Sequence, residues 1–287
     1  MKAHQDQCPI VLMSEAFGVS VSAYYRWLQN PISKRQMRQN QIDALIRKVF
    51  EKHKSRYGCT RITEDLKDDY GIAVKRRYVS KRMQAMGLIP KARRKFKATT
   101  DSDHQLPVAP NLLQQDFSAD KPNEKWVSDI TYIKTDEGWL YLCVFIDLFS
   151  RQVIGWSMGK RINRHLVCNA LNMALFRRKF PTGVIVHTDR GSQYCSRKYQ
   201  NMLKKHGLVC SMSAKGCCYD NAACESFFHT LKVELVHDEH YQTRMQARAS
   251  LFEYINVYYN RQRRHSTIGY MTPEKFEATM ATMDKVA

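Results

Sequence analysis

A chain of 287 residues that is 44% hydrophobic and 11% aromatic has enough apolar surface for a real core, in one large domain or two to three smaller ones. Its 46 lysines and arginines against 27 aspartates and glutamates give a formal charge of +19, a balance that favours a polyanionic partner, nucleic acid first among them. Nine scattered cysteines without a C-x-x-C pair exclude a zinc knuckle and read as reduced thiols; with no span-length apolar run and no leader pattern, we expect a cytoplasmic protein.

The charge is uneven. Residues 1–107 hold 22 basic and 10 acidic residues, a net of +12, while 108–287 hold 24 and 17, a net of +7. Apolar residues 10–17, Gly18, Ser20 as N-cap and a helix over Val21–Leu28 outline a partial helix-turn-helix, expected over 1–35. From Gln41, Ile42, Leu45, Ile46, Val49 and Phe50 recur at helical spacing. Tyr57-Gly58 breaks that helix, Arg61–Asp69 forms a second, Gly71 turns, and Lys75–Met86 forms a third that Gly87 stops. These make a basic helical domain over 36–98. Its outer surface and tail carry Lys75, Arg76, Arg77, Lys81, Arg82, Lys91, Arg93, Arg94, Lys95 and Lys97, with no acid between Lys75 and Lys97. Ten like charges without one compensating acid point to phosphate contact rather than a solvated face. DNA contact is assigned to Arg76, Arg77, Lys81, Arg82, Arg93, Arg94 and Lys95. Periodicity then lapses, giving a linker over 99–120.

Lys125–Ile133 reads as a strand dense in β-branched and aromatic residues, with Asp129 in its middle. The turn Asp136-Glu137-Gly138 leads to strands Trp139–Asp147 and Val153–Met158. Asn163 caps a helix that turns Val167, Ala170, Leu171, Ala174 and Leu175 to the core. Val184–Asp189 is a buried strand ending in a carboxylate and a glycine-containing loop; a helix near Ser196–His206 and a short strand Leu208–Ser213 follow. Asp220 is expected to cap a last helix whose stripe is Cys224, Phe228, Leu231 and Leu235, with Asn221, Glu225 and Lys232 beside it. A carboxylate in an apolar strand costs free energy unless paired or metal-bound. Asp129, Asp189 and Glu225 form the candidate constellation. Clustered, they would repel without a cation, which implies Mg²⁺ or Mn²⁺. Asp147 suits a turn or salt bridge; His187 suits either a core histidine or a group behind Asp189. Beyond Val236, Leu251, Tyr254, Ile255 and Tyr258 make another stripe. The Arg261, Arg263, Arg264 and His265 that follow read equally as a solvated end or as DNA-backbone contacts.

Trp126–Tyr132, His187–Tyr194 and Asp220–Phe228, with 35 residues between Asp189 and Glu225 and Lys232 seven beyond, resemble the D, D(35)E core of retroviral-integrase-like transposases. The likeness is to the OrfB proteins of bacterial insertion sequences, insertion-sequence family three, and runs on through Tyr258–Ser266. The resemblance implies an α/β ribonuclease-H-like catalytic core over 121–240, preceded by the all-α helix-turn-helix region and followed by a helical extension over 241–287. It implies 3′-end cleavage and strand transfer with two Mg²⁺ or Mn²⁺ ions. Asp129 would bridge both ions, Asp189 and Glu225 would each complete one, and Lys232 would grip DNA. The implied partners are the element's terminal inverted repeats, target DNA, further copies of the chain and an upstream frame product fused to it. The implied place is the bacterial cytoplasm, on the nucleoid when bound.

Three rivals fare worse. A tyrosine recombinase could use the H-x-x-R of His53–Arg56, but the required upstream arginine and downstream tyrosine are missing. A DNA-binding regulator has no need of three spaced carboxylates, and a ribonuclease rests on fold alone.

Overall fold

Local capping explains where the helices of the first unit begin. The computed structural model describes residues 1–91, 108–214 and 218–283, and the chain clusters into two units, Met1–Pro90 and Lys91–Ala287. Helix α1 (Ile10–Ala16) ends before Gly18, which takes φ +61°, and the Ser20 hydroxyl then accepts from the Ala23 N–H to start α2 (Val21–Gln29). Ser33 does the same for the Gln36 N–H and starts α3 (Lys34–Lys52). The helix read from Ile42 therefore begins earlier, and the expected break at 35/36 falls inside its first turn. The cap sits ahead of the apolar stripe, so periodicity does not report it. Helices α4 (Cys59–Tyr70) and α5 (Arg76–Ala85) complete the unit around Ile46, Val49, Ile62, Leu66 and Val79, all fully buried.

Two charged motifs here have structural work. His53 Nε2 lies 2.9 Å from Asp65 Oδ2, and its ring stacks on Tyr57 with centroids 3.7 Å apart. The H-x-x-R of the recombinase reading is thus a core contact. Arg82, expected to meet phosphate, instead forks onto Asp43 at 2.8 and 2.6 Å and ties α5 to α3. Arg76, Arg77 and Lys81 are exposed on α5. Arg93, Arg94, Lys95 and Lys97 lie outside the described residues. Lys91, at the start of the second unit, pairs with Asp238 at 2.6 Å.

The second unit is built on a five-stranded sheet in the order β3-β2-β1-β4-β5. Strands β1 (Lys125–Thr135), β2 (Gly138–Asp147) and β3 (Val153–Gly159) form an antiparallel meander, and β4 (Ile185–Thr188) and β5 (Val209–Met212) run parallel to β1. The Asn163 side chain caps α6 (Arg164–Arg177) on the Leu166 N–H, and Ser196 caps α7 (Arg197–Lys205). The two helices bury Val167, Leu171, Leu175, Tyr199 and Leu203 against Trp126, Phe145, Ile154 and Val186 of the sheet. Gly155 lets α6 lie on β3: a Cβ there would sit 2.7 Å from the Ala174 nitrogen. Strand, strand, strand, helix, strand, helix, strand, helix is the order expected of a ribonuclease-H-like core; α8 (Ala222–Glu234) closes it. No helix among the described residues is long and apolar enough to cross a membrane.

The C-terminal extension packs back on this core. Helix α9 (Arg244–Phe252) starts with a Thr243/Gln246 capping box and runs into a π-helical stretch, Glu253–Tyr259, before α10 (Pro273–Met283). Leu251, Tyr254, Ile255 and Tyr258 are buried, as their spacing predicts. The basic end is partly internal, which corrects both readings of it. Arg263 is buried and forks onto Glu234 at 2.9–3.0 Å, Tyr254 donates to the same carboxylate at 2.8 Å, and Arg264 donates to the Tyr270 carbonyl at 3.0 Å.

Removing one partner of a buried pair leaves the other charge uncompensated. Glu234→Ala should therefore cost the second unit about 3–5 kcal/mol in denaturant unfolding. A loss under about 1 kcal/mol would show that the pair is solvated instead, since exposed pairs are worth that little. In the first unit, Arg82→Ala should lower the melting temperature without changing the salt slope of DNA binding. Arg77→Ala should leave melting alone and reduce that slope by about 1. The reverse pattern would return Arg82 to the DNA surface.

Candidate active site

Parallel pairing of β1 with β4 sets Trp126 opposite Val186 and Ser128 opposite Thr188. One residue further along each strand stand Asp129 and Asp189, so the two carboxylates leave the sheet side by side. Each is oriented by a backbone N–H. Asp129 Oδ1 accepts from Ile130 at 2.7 Å, and Asp189 Oδ1 accepts from Gly191 at 3.0 Å. Glycine at 191 allows that close approach, because a Cβ would itself sit 3.0 Å from the Asp189 oxygen and closer still to Gln193.

The loop after Asp189 is pinned from both sides. The Tyr194 hydroxyl meets the Ser128 hydroxyl at 2.9 Å, and Arg190 Nε donates to the Ser213 carbonyl at 2.6 Å. Glu225 arrives on α8, whose first turn is tied to β1 by Asn221 Nδ2 donating to the Ser128 carbonyl at 3.3 Å. The Glu225 side chain is exposed at the site's edge.

Asp220 is not the cap of α8. A 3₁₀ turn, Cys218–Asn221, precedes the helix, and the buried Asp220 carboxylate accepts from Asn111 Nδ2, Gln115 Nε2 and the Ala214 N–H at 2.8–3.0 Å. An acid just ahead of a helix has the local signature of a cap; partners about a hundred residues away decided otherwise. His187 resolves as a core histidine. It is buried between the Ser211 and Ser213 hydroxyls at 2.8 and 3.1 Å, and burial pushes it down to about 4, so it is neutral. Asp147 is buried too. It accepts from the Asn123 and Phe149 N–H groups and meets Arg178 at 3.3 Å, with burial pushing it up to about 6. It braces the turn after β2, as its position suggests.

Burial raises the Asp129 carboxyl well above the ordinary carboxylate range, and the negative charges of Asp189 and Glu225 push it the same way. The Ile130 N–H and Lys232 oppose them. Desolvation also raises Glu225 and lowers Lys232, whose ammonium stands 5.0 Å from the centre of the Tyr132 ring. The three carboxylates share one field, yet among the described residues no three acidic, histidine or cysteine side chains already close on a common point that could hold a metal ion. Their donor set, all oxygen and net negative, suits a hard divalent cation. Closing it requires the exposed Glu225 side chain to turn inward.

Family comparisons match an HTH-like domain to residues 37–96 and an integrase core domain to 119–218, and a second integrase core domain to 225–280. The transposase InsF of insertion sequence IS3A from Escherichia coli K12 is 52% identical over 280 residues, covering 96% of each chain. The chain belongs to the IS3-type transposases. A 31 kDa protein of insertion element IS600 from Shigella sonnei is 42% identical to this transposase over 264 residues, 92% of this chain and 97% of that one. Among solved structures, the HTLV-2 integrase catalytic core domain in complex with magnesium is similar over 56% of this chain and 99% of its own, at 18% identity and a TM-score of 0.43. The transposase is a polynucleotidyl transferase with a DNA-binding helical region ahead of its core. Asp129 and Asp189 lie in the first integrase-core match, and Glu225 opens the second.

The raised Asp129 carboxyl has a stability consequence. The folded state holds that proton more tightly than the unfolded chain does, so protein in chelator loses stability as pH rises through the folded value and regains it as pH falls. Asp129→Asn removes the charge at every pH. It should raise the melting temperature near neutral pH, by about 2–4 °C per kcal/mol relieved, and flatten the pH dependence. A variant that melts below the parent in chelator would mean that the charge is already compensated.

Proposed function

We propose that Asp129, Asp189 and Glu225 are the catalytic triad of this transposase and would together hold two Mg²⁺ or Mn²⁺ ions. The observation that carries this reading is the placement of the half-buried Asp129 beside Asp189 by the β1–β4 register, with the negative charges of Asp189 and Glu225 both acting on its carboxyl. When bound, such ions activate the attacking oxygen and stabilise the leaving one.

The residues' own part is to hold and aim. The Ile130 and Gly191 N–H groups each engage one oxygen of a carboxylate and so orient it. Glu225 completes the set from α8. Lys232, about 10 Å along that helix from Glu225, grips the DNA strand whose phosphate reacts. No side chain is needed as nucleophile: water cuts the 3′ end of the element, and the freed 3′-hydroxyl then attacks the target strand.

The helical region supplies affinity. Arg76, Arg77 and Lys81 contact phosphates, joined by Arg93, Arg94 and Lys95 of the tail, while Arg82 holds the fold. The division of labour is DNA binding over 1–98, with no break at 35/36, a linker over 99–120, chemistry over 121–240 and a supporting extension over 241–287. The DNA partners are the element's terminal inverted repeats and its target. Bringing two ends together calls for more than one copy of the chain, and an upstream frame product fused to this one would complete the partial helix-turn-helix.

The test is nicking of a supercoiled plasmid that carries the DNA flanking the gene, with Mn²⁺, by the parent and by Glu225→Gln. The parent should leave 3′-hydroxyls at the gene's borders. Glu225→Gln should lose both cutting and strand transfer while keeping DNA affinity. Strand transfer surviving in the variant would remove Glu225 from the triad.

A further inference from the structure

Beyond the carboxylates, the β1–β2 hairpin carries two large aromatic side chains in the open. Tyr132 and Trp139 are 42% and 46% exposed, and their rings meet edge to face with centroids 5.0 Å apart. Tyr132 lies three residues past Asp129 on the same strand, about 10 Å away at strand rise. That is about three nucleotide steps of a B-form strand. The ammonium of Lys232, which feels the charge of Asp129, lies over the Tyr132 ring. Three residues apart on one strand, Asp129 and Tyr132 point to opposite faces, and Lys232 is the group that relates the aromatic pair to the carboxylate. The pair is also held firmly: Arg244 Nε donates to the Trp139 carbonyl at 3.0 Å, its terminal nitrogen donates to the Glu137 carbonyl, and the Asp136 N–H donates to the Tyr241 carbonyl at 3.0 Å.

We propose that Tyr132 and Trp139 form a stacking platform for an unpaired DNA base within a few nucleotides of the reacting phosphate. The chemistry favours that occupant. A nucleotide offers a flat π-face to the rings and an anionic phosphate to Lys232, and aromatic stacking accepts any base. The aromatic pair thereby offsets the cost of unpairing the DNA end and sets it at a fixed reach from Asp129. This inference rests on the catalytic assignment of Asp129, Asp189 and Glu225.

Binding is read separately from cutting. The full chain carrying Glu225→Gln is mixed with duplexes of the gene's border DNA in which 2-aminopurine replaces the border-proximal bases of either strand in turn. At least one position should lose fluorescence on binding. The loss should vanish in Trp139→Ala or Tyr132→Ala and persist in Trp139→Phe, with the melting temperature unchanged. With Glu225 restored, Trp139→Ala should slow cutting roughly 5- to 100-fold, the rate equivalent of one stacked base. An abasic site at the quenched position should slow the parent by the same factor and the variant no further. No quenching at any position, quenching that survives both alanine variants, or additive losses from the abasic site and Trp139→Ala would each overturn the platform. Quenching together with strand transfer by Glu225→Gln would keep the platform and sink the triad, so the two failures are distinguishable.

Discussion

The catalytic end depends on one pairing: β1 beside β4, parallel and in register. That register sets Asp129, within β1, beside Asp189, just past the end of β4, an arrangement of like charges a folded chain tolerates only at a cost. Much of the surrounding structure serves to hold it. The Gly191 and Ile130 N–H groups, the Tyr194–Ser128 contact and the His187 ladder of hydroxyls each fix one side of the cleft. The strain is concentrated in Asp129, and a site that stays repulsive until it is loaded is what a cation-dependent cut requires.

Helix α8 is the second support, and its two ends do different work. Its N-terminal turn is fastened to β1 through Asn221, which sets the azimuth of Glu225. Its C-terminal turn carries Glu234, fastened through Arg263 and Tyr254 to the extension. Glu225 is the most exposed acid of the three, while the helix that carries it is fastened at both ends.

Most of the architecture was legible in the sequence because its signals are local. Runs of β-branched and aromatic residues bounded by turn signals marked β1, β2 and β3, and the Asn163 and Ser20 caps marked α6 and α2. The errors share a cause. Arg82 finds Asp43 across 39 positions, Arg263 finds Glu234 across 29, and Asp220 finds Asn111 across 109. Local periodicity tells which face of a helix is apolar, but not which charged side chain has a partner elsewhere in the chain. A basic run thus looks uniformly available for phosphate when part of it is already committed. The start of α3 was missed for a smaller reason, since Ser33 precedes an amphipathic stripe that begins a full two turns later.

The buried Glu234–Arg263 pair also bears on how such genes decay. A copy cut short after residue 240 would still encode Asp129, Asp189, Glu225 and Lys232, and by inspection of its acids it would pass for intact. It would lack Arg263 and Tyr254, and Glu234 would be left a desolvated carboxylate about 14 Å along the helix from the acid that matters. The last sixth of the chain, which contributes none of the three acids, supports the helix that carries one of them.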